Sequence, residues 1–184
     1  MATYVSFTAG AGGEWRIERL NAVRGESLAP APRLARVEHD GEHAAPANGG
    51  AAWTLRGVRS YDRYTTAAEK AQLASLSPDL GRASASVGVL IPLTKSPAWW
   101  ALGADERRAI LEDRSRHIAT GAAYLPAIAR RLYHGRDLGE PWDFLTWFEL
   151  ADADRDAFAE LVARLRASEE WQYVTREVEI WVAR

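Results

Sequence analysis

The sequence predicts an α+β fold in which ferredoxin-like β-α-β-β-α-β units form a dimeric α+β barrel, two such sheets packed together. From residue 86 onward, strand-like and helix-like patterns follow the order β-α-β-β-α-β, which is that of a split ferredoxin-like unit. Before residue 82, strand, strand and helix patterns are consistent with a second, degenerate unit. Hydrophobic residues make up 47% and charged residues 26% of the 184 residues, as in ordinary globular proteins.

The composition excludes several kinds of site and partner. The chain has no cysteine, which rules out disulfides, thiolate metal ligands and iron–sulfur clusters. Its net charge of −2 gives no electrostatic basis for binding nucleic acid or an anionic membrane. Residues 1–15 lack the features of a signal peptide, and no stretch approaches the roughly 18 apolar residues of a membrane helix. We therefore expect a cytoplasmic protein without nucleic-acid or membrane partners.

The N-terminal part contains three strand-like segments, a loop and a helix. Residues 2–8 and 14–20 alternate between apolar and polar side chains, and residues 53–59 have strand-like composition. Residues 40–51 are rich in Ala, Gly and Pro and predict a surface loop. A helix is predicted over 67–76.

The predicted 67–76 helix has a defined start and end. Thr66 can cap its N-terminus, and Glu69, three residues later, completes a capping box. Ser77 precedes Pro78, and a residue before proline is disfavoured in the α conformation. The helix is therefore expected to end at Ser77.

The C-terminal part begins with an apolar run at 86–94, which predicts a central strand. A helix follows, opening at the acidic residues 105–106 and running to about Gly121. Pro126 argues against a further helix, so residues 127–134 predict a strand. The remaining predicted elements are a turn, a strand, a helix and a strand, at 135–140, 142–149, 153–168 and 171–183.

We interpret residues 1–184 as one domain with two halves. The half over about 1–82 is the degenerate unit, and the half over about 86–184 carries the candidate site. No sequence repeat is strong enough to prove a duplication.

His117 lies at the border of the apolar face of the predicted helix, at helical spacing from Ile110, Arg114 and Gly121. Two interpretations stay open. It is a core or boundary histidine satisfied within the protein, or it is a metal ligand. A ligand histidine requires an acceptor for its second ring nitrogen.

Arg130 shares one face of the predicted 127–134 strand with Ile128, Leu132 and His134. If that face is buried, a charge between two aliphatic side chains needs a partner or an anionic ligand. If that face is the less buried one, Arg130 is simply solvated. The sequence leaves both interpretations open.

Aromatic and acidic residues present a similar choice. Eight tryptophans indicate either an aromatic core or a pocket for a flat, apolar cofactor. On the simpler interpretation, Trp99 and Trp100, which follow Lys95 closely, only fill space at the start of a helix. Glu169 and Glu170 follow the last predicted helix, where acidic side chains interact unfavourably with the helix dipole. Either both are solvated at the surface, or one of them has a function elsewhere in the fold.

Several other polar residues lack the partners that a catalytic or metal site needs. A metal site at the histidines four residues apart in the loop is not expected. The two serines have no visible triad partners, and the hairpin histidine with its aspartate indicates surface polarity. These weaker candidates are His39 with His43, Ser60 and Ser115, and His134 with Asp137.

Five segments carry a family resemblance. They are LIPLTKSPAWWAL from Leu90, DERR from Asp105, HIATGAAYLPAIARRLY from His117, DFLTWFE from Asp143 and EEWQYV from Glu169. Together they strongly resemble the chlorite dismutase family, and residues 53–82 look like its short-chain branch. The resemblance covers most of the chain and is weaker over 1–50.

The resemblance implies a haem b cofactor and a role for each matching residue. The family's proximal haem ligand falls on His117, which would bind the iron. Its distal arginine, thirteen residues later, falls on Arg130. The glutamate that accepts a hydrogen bond from the proximal imidazole falls on Glu170.

Four further cofactor contacts are implied by the same resemblance. A lysine that contacts a haem propionate falls on Lys95, and the haem-adjacent tryptophan pair falls on Trp99 and Trp100. Tyr64, in the segment that looks like the short-chain branch, is the fourth implied contact.

The implied activity is that of an oxidoreductase, a chlorite O2-lyase that converts chlorite into chloride and O2. Chlorite would give one oxygen to the iron opposite His117, forming a high-valent iron-oxo state and a transient hypochlorite that Arg130 retains. The family's coprohaem decarboxylases typically lack the distal arginine, so Arg130 favours chlorite chemistry. Ser77 stands where several short members carry a glutamine, which implies that Arg130 is either held differently here or more mobile.

The implied partners are chlorite or a similar small anion and a second copy of the chain, because short members of the family are typically homodimers. Three alternatives stay open. The protein is a related haem protein that acts on peroxide or coprohaem, a non-catalytic haem-binding or haem-transfer protein, or a structural domain whose tryptophans form the core.

Overall fold

The computed structural model describes residues 2–41, 50–59 and 64–184, so His43 and Ser60 lie outside the described residues. The described residues form a closed barrel of eight strands in the order β4-β1-β3-β2-β8-β5-β7-β6, each antiparallel to its neighbours. In chain order these strands are β1 (Thr3–Gly10), β2 (Trp15–Arg24), β3 (Arg33–Asp40), β4 (Trp53–Arg59), β5 (Val87–Lys95), β6 (Ala129–His134), β7 (Phe144–Leu150) and β8 (Val174–Ala183).

Of the described helices, one precedes β5, three short ones lie between β5 and β6, and one lies between β7 and β8. They are α1 (Ala67–Leu76), α2 (Pro97–Ala101), α3 (Ala104–Arg108), α4 (His117–Ala122) and α5 (Arg155–Arg166). A π-helical segment, Ala109–Arg114, continues α3, and 3-10 turns lie at Arg136–Leu138, Asp152–Asp154 and Glu169–Tyr173. Among the residues that the structure describes, no helix has both the length and the apolar character needed to cross a membrane.

Strand β5 is buried on both faces, which explains its continuous apolar sequence. On the barrel interior, Leu90 packs in one core cluster with Trp147. On the outer face, Val89 packs in a second cluster with Phe158 of α5. The predicted central strand at 86–94 is therefore confirmed, and helical segments follow β5 and β7, the first and third of the four C-terminal strands, as predicted.

Strand β3 was not predicted from the sequence, and its inward-facing side chains explain why. Only Leu34 at its start is fully buried, whereas Arg36 and Glu38 point toward the polar end of the barrel interior. There Arg36 donates a hydrogen bond to the hydroxyl of Tyr133 at 2.8 Å, and that hydroxyl donates to Glu38 at 3.3 Å. An inner face made of charges gives no apolar alternation to recognise.

Helix α1 begins and ends as predicted. The backbone N–H of Glu69 donates to the hydroxyl of Thr66 at 3.2 Å, and the Glu69 carboxylate accepts from the backbone N–H of Thr66 at 2.7 Å. The helix has no buried residue, so polar contacts hold it. Glu69 pairs with Arg108 at 2.7 Å, and the hydrogen bond from Arg108 lowers the pKa of Glu69 to about 2.

The prediction of one continuous helix from 105 to about 121 is wrong. The chain forms α3, then the π-helical segment, and then breaks at Arg116, which has left-handed backbone angles (φ 51°, ψ 37°). His117 is the first residue of α4 and not part of a stripe running from Ile110. Helical spacing cannot be extrapolated across a residue in the left-handed region, because that residue changes the direction of the chain.

Gly88 gives a direct test of packing inside the barrel. A Cβ atom on Gly88 would lie 2.5 Å from an indole carbon of Trp147 and 2.8 Å from a methyl carbon of Val182. Gly88→Ala is therefore expected to lower the free energy of unfolding by about 1–3 kcal/mol, as measured by urea denaturation. Gly12→Ala is the control, since its Cβ would meet nothing within 4 Å. Equal stability of the two variants would contradict this packing.

Candidate active site

A cavity of about 580 Å³ lies between the outer face of β5, β6 and β7 and the helical segments. Its apolar lining includes Ile91, Leu93, Ile128, Leu132, Phe148 and Leu161. The four residues that share a face of the predicted 127–134 strand, Ile128, Arg130, Leu132 and His134, all line it. The strand face that the sequence left ambiguous is therefore the cavity face.

A network of three side chains, two of them buried and His117 half-buried, forms the polar centre of this cavity. Nδ1 of His117 lies 2.6 Å from one carboxylate oxygen of Glu170. Nζ of Lys95 donates to the other carboxylate oxygen at 2.7 Å. The side chains of Lys95 and Glu170 are only 3% and 5% exposed. Since Nδ1 is engaged by Glu170, Nε2 is the ring atom that His117 can offer to a metal ion.

The charge state of Glu170 follows from its neighbours. Burial alone raises the pKa of its carboxyl group, but His117 and Lys95 outweigh burial and lower this pKa to about 2. Burial also lowers the pKa of Lys95, and the Glu170 carboxylate opposes that shift. An ionised Glu170 accepts a hydrogen bond from Nδ1–H, which favours the tautomer in which Nε2 carries the free lone pair.

Backbone contacts hold both members of the Lys95–Glu170 pair. The backbone N–H of Lys95 donates to the Asp143 carboxylate at 2.7 Å, and its ammonium lies 4.4 Å from the ring centroid of Trp99. The backbone N–H of Glu170 donates to the hydroxyl of Ser115 at 2.9 Å. Lys95 and Glu170 are therefore anchored by separate segments of the chain.

Lys95 lines the cavity, and its ammonium contacts Glu170 through both the carboxylate and the backbone carbonyl. The implied contact between Lys95 and a haem propionate stays a prediction. A deeply buried ammonium requires a contacting carboxylate. Lys95 thus acts on the carboxylate that holds His117.

Glu169 and Glu170 separate into two environments. Glu169 pairs with Arg114 at 3.0 Å at the surface, whereas Glu170 is buried against His117. The prediction of a strand from 171 is wrong at its start, because Glu169–Tyr173 forms a 3-10 turn and β8 begins at Val174. The turn redirects the chain from α5 and places Glu170 beneath the imidazole.

Arg130 lies on β6 and lines the same cavity as His117. The residue is solvent-exposed, so its guanidinium is accessible to an ion that enters the cavity. Ser77, at the C-terminal end of α1, also lines the cavity. The cavity therefore combines a histidine held by a carboxylate with an accessible cation.

The predicted aromatic contacts divide into two groups. Trp99 and Tyr64 line the cavity, with their ring centroids 6.5 Å apart. Trp100 is not among the residues that line the cavity, and its implied contact with haem stays a prediction. Its ring stacks on Phe144 at 5.9 Å and its N–H donates to Asp143 at 3.2 Å. Successive residues of a helix point about 100° apart, so the two tryptophans face different ways.

His134 is not a surface residue, in contrast to the sequence-based interpretation. It is 6% exposed, lines the cavity and lies 3.3 Å from Asp137, with the edge of its ring against Phe144 at 5.1 Å. The turn that follows β6 folds back and covers it. Position in a hairpin turn therefore does not predict exposure here.

Trp171 is a neighbour of His117 that the sequence analysis did not identify. Its ring lies nearly parallel to the imidazole, with centroids 6.3 Å apart and an interplanar angle of 14°. Its N–H donates to the buried Glu177 at 2.8 Å. Its position directly after Glu170 is the only sequence signal that marks it. The stacked Trp171 ring restricts the orientation of the His117 imidazole.

The cavity fits a flat, largely apolar cofactor that carries a metal ion and acidic groups. A volume of about 580 Å³ lies within the range of about 300–1,000 Å³ found for cofactor sites. His117 offers a nitrogen ligand whose other ring nitrogen is hydrogen-bonded to the ionised carboxylate of Glu170. The buried indole N–H of Trp99, which lines the cavity, has no acceptor among the described residues. A carboxylate of a bound cofactor is a suitable acceptor for it.

Comparisons with known proteins agree with this fold. A family model described as chlorite dismutase matches residues 51–184. The crystal structure of dimeric chlorite dismutase from Nitrobacter winogradskyi is 52% identical, with a TM-score of 0.89 over 98% of this chain and 99% of that chain. Chlorite dismutase from Candidatus Nitrospira defluvii in complex with imidazole is 16% identical, with a TM-score of 0.68 over 99% and 91%, and supports the fold alone. The chain belongs to the chlorite dismutase family.

Proposed function

We propose that the protein is a haem b-dependent chlorite dismutase that converts chlorite into chloride and O2. The observation that carries this proposal is that a histidine held by a buried carboxylate and an accessible arginine line one apolar cavity. Membership of the chlorite dismutase family supports it, as does the 52% identity to the Nitrobacter winogradskyi protein.

His117 is the proposed iron ligand through Nε2, with Trp99 and Tyr64 at the cavity wall. Bound haem would supply an iron atom that accepts an oxygen atom from chlorite. The carboxylate of Glu170 draws the Nδ1–H proton of His117 toward itself, which makes the imidazole a stronger electron donor. Lys95 keeps Glu170 ionised and fixed in place.

Arg130 is the proposed anion-binding residue on the open side of the cavity. Its exposed guanidinium would attract chlorite and hold an anionic chlorine oxide in the cavity through charge-assisted hydrogen bonds, which are stronger than neutral ones. The apolar residues of the cavity wall would limit escape of such an anion. Overall, one chlorite ion would give one chloride ion and one O2, with no external oxidant or reductant.

We also propose that the two halves of the chain are related ferredoxin-like units. Around the barrel, the N-terminal strands follow β4-β1-β3-β2 and the C-terminal strands follow β8-β5-β7-β6. If each half is numbered from its own first strand, both orders read 4-1-3-2. This equivalence supports a duplication that the sequence did not show.

We further propose that the protein acts as a homodimer. The Nitrobacter winogradskyi structure, described as dimeric, covers nearly the whole of both chains. The proposal is an inference from that likeness.

His117→Ala is expected to abolish the Soret absorption that forms when haemin is added to the protein, because the variant lacks the iron ligand. Titration with haemin, followed by absorbance, measures this. His134→Ala is the matched control, since His134 lines the same cavity and is not the proposed ligand. Retention of a wild-type Soret band by His117→Ala, or its loss in His134→Ala alone, would show that the ligand is misassigned.

Arg130→Ala is expected to lower chlorite turnover by about tenfold or more and to speed bleaching of the haem, because the oxidising fragment is no longer retained. Stopped-flow absorbance reports chlorite consumption and bleaching together. Arg130→Lys keeps the charge but loses the fork of donors, so we expect an intermediate result. Arg136→Ala removes an arginine outside the cavity lining and should match the wild type. Unchanged turnover and bleaching in Arg130→Ala would refute its role.

A further inference from the structure

The chain is distorted directly before the proposed iron ligand. The π-helical segment Ala109–Arg114 ends at Ser115, and Arg116 then has left-handed backbone angles (φ 51°, ψ 37°). This conformation is uncommon for a residue with a side chain, and π-helical turns are rare and concentrate at functional sites. The distortion therefore calls for a compensating contact nearby.

Glu112 makes that contact across the break. One of its carboxylate oxygens accepts the backbone N–H of Ile118 at 2.6 Å, and the other accepts the backbone N–H of Ala119 at 3.2 Å. In a continuous α-helix, the N–H of Ile118 would donate to the carbonyl of Arg114. Here the Glu112 side chain binds the first turn of α4 from the preceding segment. His117, as the first residue of α4, is held by this clamp.

Ser115 ties the same break to the partner of the imidazole. Its hydroxyl oxygen accepts the backbone N–H of Glu170 at 2.9 Å. Glu112 thus fixes the backbone of His117, and Ser115 fixes the backbone of the residue whose carboxylate binds His117. Both contacts come from the four residues before the break.

We propose that the break before His117 is a positioning device, in which Glu112 and Ser115 set the orientation of the imidazole toward Glu170. This inference rests on the proposed function of His117 as iron ligand. Glu112 and Ser115 are positioning residues that act through His117 and Glu170. The break uncouples His117 from the direction of the preceding helix, so that the side chain can meet a carboxylate 53 residues further along the chain.

Glu112→Ala is the principal test variant and has two readouts. In the haem-free protein, proton NMR of the imidazole Nδ1–H reports the hydrogen bond to Glu170, and we expect its downfield signal to weaken or broaden. In the ferrous haem-loaded protein, resonance Raman reports the iron–histidine stretch, which should shift to lower frequency. Haem transfer to apomyoglobin should be about 10–100-fold faster.

Two milder variants address the possibility that Glu112→Ala fails to fold. Glu112→Gln keeps an amide oxygen that can accept one of the two N–H groups, so we expect smaller changes in the same direction. Ser115→Ala leaves Glu112 intact and should weaken the Nδ1–H signal through Glu170. Circular dichroism confirms that each variant is folded.

Glu106→Ala is the matched control. Glu106 also accepts a backbone N–H at a helix start, that of Gly103 at 2.7 Å, and belongs to the same helical stretch. It makes no contact of this kind with α4 among the described residues, so all three readouts should match the wild type. Equal changes in Glu106→Ala and Glu112→Ala would overturn the proposal, since the effect would then be one of helix stability.

The readouts separate this proposal from the proposed function. If haem binds through His117 but folded Glu112→Ala keeps the wild-type Nδ1–H signal, iron–histidine stretch and haem transfer, the positioning device is refuted and the function stands. If the wild type does not bind haem, loss of the Nδ1–H signal in Glu112→Ala still supports positioning of His117, while the proposed function fails.

Discussion

The contact between His117 and the ionised carboxylate of Glu170 is the constraint on which the rest of the site depends. It fixes the imidazole tautomer and leaves Nε2 for a metal ion. A carboxylate buried to this degree is tolerable only with a cation beside it, and Lys95 supplies that cation. Removing one member of such a buried pair typically costs about 3–5 kcal/mol, so the fold and the site are coupled at this point.

The barrel makes this network possible by bringing together three distant segments. Lys95 ends β5, while Glu170 lies in the turn between α5 and β8. Strands β5 and β8 are neighbours in the sheet, which brings the two side chains into contact. The broken helical region then carries His117 over them. Because the opposite wall is β6, Arg130 faces the same space without belonging to the network.

Much of the chain from α1 onward could be predicted from the sequence because its patterns are local and strong. The apolar run of β5, the capping box of α1 and the alternation around Arg130 each depend on neighbouring residues. Where tertiary contacts replace local patterns, prediction failed. The charged inward-facing residues of β3 give no apolar alternation, so this strand could not be recognised from the sequence. The predicted helix breaks at Arg116, where the Glu112 side chain caps α4.

The same distinction between what the sequence indicates and what only tertiary contacts reveal applies to the candidate site. His117, Arg130 and Glu170 were assigned from the family resemblance, and the structure places His117 and Glu170 in contact. The partner of Lys95 was not predictable, because only the folded chain shows that its ammonium is buried against Glu170. Trp171 gave no signal beyond its place after Glu170, since its stacking on the imidazole depends on the 3-10 turn that precedes β8.

The most direct test of the account is the yield of O2 from chlorite. The purified protein is loaded with haemin, chlorite is added near pH 6, and dissolved O2 is followed with an electrode. The account predicts rapid evolution of about one O2 per chlorite consumed, because both oxygen atoms of one chlorite ion leave together. A clear Soret band with no O2 would contradict it, and would leave His117 as a haem ligand in a protein of different activity.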